Sequence, residues 1–180
     1  GYFEPMFGGV SNEVLYFNSE KDLSFGFELN YSKKRLPRQL LGFRDLKGMA
    51  EINGHFSAYW DTGYYYYLAQ LDAGKYLAND NGATVTLTRK FPNGWRVGGF
   101  FTLTDASFSE FGEGSFDKGI FMRIPFNSAI PYETKGGVFE KIRPVLGDGG
   151  ARMEITGRLF HVLEDHSKKQ LLNSWPAIWR

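Results

Sequence analysis

The strongest constraint on the fold is a two-residue alternation between apolar and polar side chains that recurs along most of the chain. It is cleanest at residues 23–32, LSFGFELNYS, where bulky apolar residues alternate with polar or small ones. The same alternation runs through residues 50–60 and 65–73, on either side of the turn Asp61-Thr62-Gly63. Because successive side chains of a β-strand point to opposite faces of the sheet, this pattern predicts strands with one apolar and one polar face.

Further strands are predicted on both sides of this hairpin. They lie at about residues 9–17, 83–91, 95–104, 118–124, 138–145 and 151–158, and Pro92-Asn93-Gly94 is a strong hairpin turn signal. The 17 Phe, 10 Tyr and 22 Gly also favour β structure with many turns. We therefore predict an all-β region of about eight to ten strands over residues 1–158, opened by an irregular stretch. Residues 159–180 are predicted to form a short helical or irregular tail.

Charge, cysteine content and hydropathy exclude several classes of protein. Lys plus Arg number 21 and Asp plus Glu number 20, so charge indicates no nucleic-acid partner. There is no cysteine, and an exported protein of this kind would need extensive backbone pairing for stability. Neither a membrane helix nor a signal peptide is recognisable, as is also true of a mature transmembrane barrel. Because the chain starts at Gly1 without Met, we expect a mature protein or a fragment of a longer one.

The predicted connections alternate between short and long. Residues 18–22, 61–63 and 92–94 form short turns, whereas residues 33–47 and 105–116 form longer loops. Since successive connections of antiparallel neighbours lie at opposite ends of the sheet, the short turns collect at one end. Outer-membrane barrels show this asymmetry, with short periplasmic turns. Aromatic residues beside the turns would then form a girdle at the membrane interface: Trp60, Tyr65, Tyr67, Phe91 and Trp95.

The polar face of the strands would line the lumen of such a barrel. The candidates for the lumen or glycan path are Glu28, Glu51, His55, Tyr59, Tyr66, Gln70, Asp72, Arg96 and Arg123. If the loop before residue 117 folds inward, the candidates for a constriction are Glu110, Glu113 and Asp117. Aromatics that could stack on sugar rings are Tyr59, Tyr64, Tyr66 and Phe121. The same charges would also fit the solvent face of a soluble β-sandwich or lipocalin-like barrel, and the pattern leaves both folds open.

No catalytic, nucleotide or metal site is predicted. His55 with Glu51 and Asp72 could form an acid/base group, but no nucleophile motif accompanies them, and a polar network facing the lumen is favoured. The glycine-containing segment 111–119, FGEGSFDKG, lacks the spacing of a P-loop. The two histidines of the tail, His161 and His166, miss the i, i+4 spacing of a zinc pair. We therefore predict no cofactor and no metal.

Four motifs occur in an order that resembles a known family. They are GYFEPMFGGV, AYWDTGYYYYLAQLDAGKYLANDNGATV, FPNGWRVGGFFTLTD and FSEFGEGSFDKGIFMRIPF, and together they place the likeness at about residues 1–152. The chain resembles the C-terminal region of the YjbH/GfcD-like exopolysaccharide biosynthesis proteins of Gram-negative bacteria. Members of that family are regarded as outer-membrane lipoproteins with β-barrel regions that are linked to capsule or exopolysaccharide secretion. The resemblance carries no catalytic residues.

The resemblance and the strand pattern together predict an antiparallel up-and-down transmembrane β-barrel, or the C-terminal part of one. The expected role is non-enzymatic: to form or assist a path for exopolysaccharide in the outer membrane of a Gram-negative bacterium. The expected partners are outer-membrane lipid, the glycan, other subunits of a secretion machine and a preceding part of the same polypeptide. The alternatives are a soluble periplasmic carbohydrate-binding module and, less favoured, an outer-membrane hydrolase that uses His55.

Overall fold

Among the residues that the computed structural model describes, the chain forms ten β-strands and one short helix. The structure describes residues 2–4, 7–36, 42–44, 51–105, 116–126, 137–144, 149–164, 168 and 172. The strands are β1 (Tyr2–Glu4), β2 (Phe7–Tyr16), β3 (Leu23–Arg35), β4 (Phe43–Arg44), β5 (Ile52–Asp61), β6 (Tyr67–Lys75), β7 (Asn81–Lys90), β8 (Arg96–Thr104), β9 (Asp117–Pro125) and β10 (Gly137–Ile142). The helix is α1 (Leu159–Leu163). The predicted all-β class and the short helical segment in the tail are confirmed.

The strands form one antiparallel meander. Apart from the two-residue β4, which pairs with the end of β3, each strand pairs with the next one along the chain from β1 to β10. The up-and-down order is therefore confirmed. Within the described residues the sheet is open, because β1 and β10 each pair with one neighbour only.

The two ends of the sheet carry different connections. One end, which we call the turn end, carries residues 17–22, 62–66 and 91–95. The opposite loop end carries residues 36–51, 76–80 and 105–116. The predicted separation of short turns from longer loops therefore holds only in part. At the loop end the connection 76–80 has five residues, as many as the turns 62–66 and 91–95, and at the turn end the longer connection 126–136 joins β9 to β10.

The hairpin turn between β5 and β6 is longer than predicted. It comprises residues 62–66, so the prediction that Tyr65 lies on the second strand is wrong. The side chains of Asp61 and Thr62 hydrogen-bond the turn backbone: Gly63 N donates to Asp61 Oδ1 (3.0 Å) and Thr62 Oγ1 donates to the carbonyl of Tyr67 (2.8 Å). Such side-chain hydrogen bonds replace the backbone pairing of a strand, so the second strand of the hairpin begins later in the sequence, at Tyr67. Tyr65 and Tyr66 accordingly adopt positive φ angles of 44° and 62°.

Two other expectations about local structure are wrong. The first residues are not wholly irregular, because Tyr2–Glu4 pair with β2 as β1. Residues 151–158, predicted as a strand, have no regular structure and end in a turn at 156–157. The physical reason is that Arg152 and Arg158 form ion pairs with buried carboxylates of the sheet, which a strand at its edge could not reach.

The two faces of the sheet are confirmed. On β3 and β5 it is the polar face that is buried, whereas on β9 and β10 Arg123, Phe139 and Lys141 of this face are exposed. On β3, Glu28 is 3 % exposed whereas the neighbouring Phe27 is 51 % exposed. Other buried polar residues on the strands include Ser24, Asn30, Ser32, Asn53, His55, Ser57, Asp72 and Thr102. Exposed apolar residues include Val14, Leu29, Ile52, Phe56, Trp60, Leu71, Leu87, Phe101, Leu103 and Ile120. The described residues thus place charges and amides inside and aliphatic and aromatic side chains outside.

Candidate functional site

The polar face is covered by residues 149–164, which we call the inner segment. At the loop end, Gly150 N donates a hydrogen bond to Asp80 Oδ2 (2.8 Å). At the turn end, the ring of Phe160 stacks on that of Tyr59, with centroids 3.7 Å apart and planes at 5°. The inner segment therefore runs along the polar face from one end of the sheet to the other.

Apolar contacts hold the inner segment at these two ends. Phe7, Leu77 and Met153 form a small buried cluster near the loop end. A second buried cluster, near the turn end, consists of Tyr59, Leu68 and Phe160. The surface between the sheet and the middle of the inner segment is polar, so its stability depends on ion pairs and hydrogen bonds.

Two arginines of the inner segment neutralise two buried carboxylates of the sheet. Arg152 Nη1 lies 2.7 Å from Asp72 Oδ1, and Arg152 Nη2 lies 3.1 Å from Glu28 Oε2. Arg158 also forms an ion pair with Glu28. A buried carboxylate is costly unless an opposite charge and hydrogen bonds compensate for the lost hydration. The two arginines therefore supply the counter-charges that Glu28 and Asp72 need inside the fold.

The end of the inner segment is attached to β7 and β8 by a third buried carboxylate. Glu164 lies just after α1 and is buried. Its Oε2 is 2.7 Å from Lys90 Nζ, and its Oε1 pairs with the guanidinium of Arg96. One acidic residue thus contacts two bases, which attaches the end of the inner segment to both strands.

Hydrogen bonds between side chains connect neighbouring strands along the polar face. Asn30 Nδ2 donates to Glu28 Oε1 (2.7 Å) and to Asn53 Oδ1 (3.1 Å). Further along the sheet, the hydroxyls of Tyr76, Thr84 and Thr102 form a chain with oxygen separations of 2.6 and 2.7 Å. Burial raises the pKa of Tyr76 to about 12, so its phenol stays protonated. These hydrogen bonds hold a row of hydroxyl and amide groups along the polar face.

The acid/base group that the sequence left as the less favoured alternative for His55, Glu51 and Asp72 is not assembled. His55 is 1 % exposed and its ring packs edge-on against Tyr76, with centroids 4.6 Å apart. Neither ring nitrogen has a hydrogen-bond partner among the described residues. Asp72 accepts instead from Ser57 and Gln70, at 2.5 and 2.7 Å, and Glu51 lies 3.4 Å from Lys33. Without a carboxylate to orient it, the imidazole lacks the arrangement of a general base.

A cavity of about 880 Å³ lies between the inner segment and the half of the polar face formed by β6 to β10. Its basic lining residues are Lys90, Arg96, Arg123, Lys141, Arg143, Arg152 and Arg158. Its acidic lining residues are Asp72, Asp117, Glu154 and Glu164. Hydroxyls of β7 and the rings of Phe100, Phe121 and Phe139 complete the wall. The cavity is therefore polar, aromatic and richer in positive than in negative charge.

The structure brings only part of the predicted lumen set to this cavity. Gln70, Asp72, Arg96 and Arg123 line it, whereas Glu28, His55 and Tyr59 are buried elsewhere on the polar face. Tyr59 is covered by Phe160, so its ring face is occupied. Tyr66 lies in the turn and lines a separate cavity of about 350 Å³ at the turn end, and Glu51 is exposed beside β5.

The predicted constriction and girdle residues are placed only in part. Glu110 and Glu113 lie outside the described residues, whereas Asp117 is buried at the start of β9. The girdle residues Trp60, Tyr65, Tyr67, Phe91 and Trp95 all lie at or beside the turns of the turn end. The guanidinium of Arg89 lies over the ring of Phe91 at 4.8 Å and over that of Tyr67 at 5.7 Å. No group of three or more potential metal ligands occurs among the residues that the structure describes.

Sequence reasoning missed Lys141, Arg143, Arg152 and Arg158. The alternation of β10 held a signal for the first two, since Lys141 and Arg143 share the face of Phe139, which lines the cavity. No local signal was available for Arg152 and Arg158, because their partners are distant in sequence: Arg152 and Glu28 are 124 residues apart.

Comparison with known proteins assigns the family. Residues 1–165 match the family described as exopolysaccharide biosynthesis protein YbjH (YjbH). The chain belongs to this family. It is also 33 % identical over 168 residues to a protein of Escherichia coli (strain K12) named "Uncharacterized lipoprotein YjbH". The alignment covers 93 % of this chain but 24 % of that relative, so the chain spans about a quarter of the relative's length.

The YjbH family match contains the sheet and the inner segment together, since residue 165 follows Glu164 directly. No solved structure matches the chain. In the described part of this YjbH-family chain, no helix has the length and apolar character needed to cross a membrane. The predicted family is thus confirmed, and its description names exopolysaccharide biosynthesis.

Proposed function

We propose that this chain is the membrane-spanning β-barrel part of an outer-membrane protein that assists exopolysaccharide export without catalysing a reaction. The observation that carries this proposal is the inverted sheet, with charges and amides inside and apolar side chains outside. In water, this arrangement would leave a large apolar surface hydrated, and monomeric soluble proteins rarely expose such continuous patches. In a bilayer the same surface faces hydrocarbon and the polar face lines a wet interior.

Strand length and the position of the aromatic residues support the same conclusion. The strands β5 to β9 contain nine or ten residues each, as a tilted strand needs to cross the hydrocarbon layer. The predicted girdle residues gather at one end of the sheet, where amphipathic rings would meet the lipid headgroups. With the turn end towards the periplasm, the inner segment would run through the interior from the outer side to the periplasmic side.

A barrel in lipid has no unpaired edge, because the membrane offers no water to hydrogen-bond free backbone groups. The proposal therefore requires the edges at β1 and β10 to be paired, either with each other or with further strands of the same polypeptide. The cavity of about 880 Å³ beside the inner segment would be the glycan path. Its hydroxyls, charges and aromatic rings are the groups that contact sugars. Other subunits of a secretion machine would be its partners.

The proposal is tested by placing arginine on the outer face. Leu71 lies at the centre of β6 and is 47 % exposed. In a bilayer, Leu71→Arg at this depth should cost about 2–4 kcal/mol in the free energy of unfolding. In water, an exposed substitution of this kind should stay within about 0.5 kcal/mol. The measurement is reversible guanidinium unfolding of the protein in lipid vesicles.

Leu103→Arg is the matched control, because Leu103 faces outwards near the loop end of β8. At the interface its cost should fall to about 0–1 kcal/mol. A wild-type protein that stays monomeric without detergent, with equally small costs for both substitutions, would contradict the membrane assignment. That result would favour a soluble periplasmic carbohydrate-binding module.

A further inference from the structure

We infer that the inner wall formed by β8, β9 and β10 binds the acidic groups of an anionic polysaccharide. The inference rests on the proposed glycan path and adds the chemical class of the glycan. The observation behind it is that basic and aromatic side chains lie side by side on this part of the polar face.

Two arginines lie directly opposite each other on this wall. In the antiparallel register of β8 and β9, Arg96 pairs with Arg123. Like charges directly opposite on one face of a sheet destabilise it unless a counter-charge lies between or beside them. Arg96 has Glu164, whereas Arg123 forms no ion pair with a described carboxylate. An anion bound here would relieve the repulsion.

The positive charge continues onto β10. Lys141 pairs in register with Phe121, and Arg143 follows it on the same face. Two carboxylates line this part of the cavity, Asp117 on β9 itself and Glu154 on the inner segment, and they are fewer than the three exposed bases Arg123, Lys141 and Arg143 of this wall. Arg152 and Arg158, by contrast, are matched by Glu28 and Asp72. The excess of positive charge is therefore concentrated on β9 and β10, across the cavity from the inner segment.

Aromatic rings alternate with these bases and lie against glycines of the neighbouring strands. A Cβ added at Gly98 would come within 2.4 Å of Phe121 Cζ, and one at Gly119 within 2.7 Å of Phe100 Cε1. The rings thus fill the space that the glycines leave. Lys141 Nζ lies 4.5 Å from the ring centroid of Phe100.

Phe121 packs beside Phe139 on the same wall, with ring centroids 6.2 Å apart. Aromatic faces accept the C–H face of a sugar ring, and adjacent strands are about 4.8 Å apart, close to the length of one sugar unit. A chain that crosses the strands could therefore stack its rings on phenylalanines while its carboxylate, phosphate or sulfate groups meet the bases. A neutral glycan would leave the bases without counter-charge.

The test compares two probes of equal length, an oligogalacturonate and a neutral maltooligosaccharide, by titration calorimetry on the detergent-solubilised protein. The wild type should bind the acidic probe more tightly, and its affinity should fall as salt is raised. Arg123→Gln and Arg143→Gln should each weaken acidic binding about tenfold, as expected for loss of one charge-assisted contact. Lys118→Gln is the control, because Lys118 is exposed on the opposite face of β9 and should bind like the wild type. Unfolding curves of each variant establish that it folds.

Equal affinity for the two probes, or loss of acidic binding in Lys118→Gln as large as in Arg123→Gln, would overturn the inference. If the neutral probe binds at least as tightly as the acidic one and Phe121→Ala abolishes that binding, the preference for anionic glycans is wrong, while the proposed glycan path is supported. Absence of binding by both probes would also overturn it, and the arginine substitutions on the outer face would still decide the membrane assignment separately.

Discussion

Arg152 forms a bridge of ion pairs between the inner segment and the sheet, and this makes it the most informative position for a test of stability. Replacing Arg152 by Met keeps much of the volume but removes the contacts with Asp72 (2.7 Å) and Glu28 (3.1 Å) and a longer one with Ser57 Oγ (3.4 Å). Both carboxylates are buried on the polar face. The substitution should therefore destabilise the fold because two buried carboxylates each lose one counter-charge.

The expected magnitude follows from the contacts that remain. Removing one partner of a buried ion pair costs about 3–5 kcal/mol. Glu28 keeps its ion pair with Arg158, and Asp72 still accepts hydrogen bonds from Ser57 and Gln70. We therefore expect Arg152→Met to lie near the lower limit, at about 3 kcal/mol.

Guanidinium unfolding in detergent micelles measures this cost, and a double-mutant cycle isolates its origin. Adding Asp72→Asn to Arg152→Met should recover part of the loss, with a coupling free energy of about 0.5–3 kcal/mol. Arg152→Lys, which keeps the charge but not the two-pronged geometry, should fall between Arg152→Met and the wild type. A cost below about 0.5 kcal/mol for Arg152→Met, or independent effects of the two substitutions, would refute the electrostatic role of the bridge.

Two further predictions concern close packing. Gly74→Ala should cost about 1–3 kcal/mol in unfolding, because its Cβ would lie 2.1 Å from a backbone oxygen of β5, whereas Gly99→Ala, whose nearest neighbour would be at 3.4 Å, should be tolerated. Phe160→Ala removes the ring stacked at the turn end and should cost about 3–5 kcal/mol, measured by the same unfolding assay. Val162→Ala on the exposed side of α1 is its control, and equal effects of the two helix substitutions would contradict the assigned packing of the helix.

Local sequence patterns were sufficient to predict β2, β3 and β5 to β10, the two faces of these strands and the short turns at the turn end. The reason is that alternation is a property of consecutive residues: once Phe27 points outwards, Glu28 must point inwards. The family motifs, confirmed over residues 1–165, are likewise read directly from the chain. The extended turn after β5 was missed because Asp61 and Thr62 satisfy its backbone through side-chain hydrogen bonds, which alternation does not reveal.

Only the tertiary structure decided what covers the polar face. The pattern at residues 151–158 fits a strand, but the buried charges of Glu28 and Asp72 require partners, and Arg152 and Arg158 supply them from a distant part of the chain. Such pairing depends on where the strands lie in space, because charge interactions act between neighbours in the fold irrespective of their separation in sequence. The same holds for the cavity, whose bases come from β7 to β10 and the inner segment and meet only when the sheet has formed.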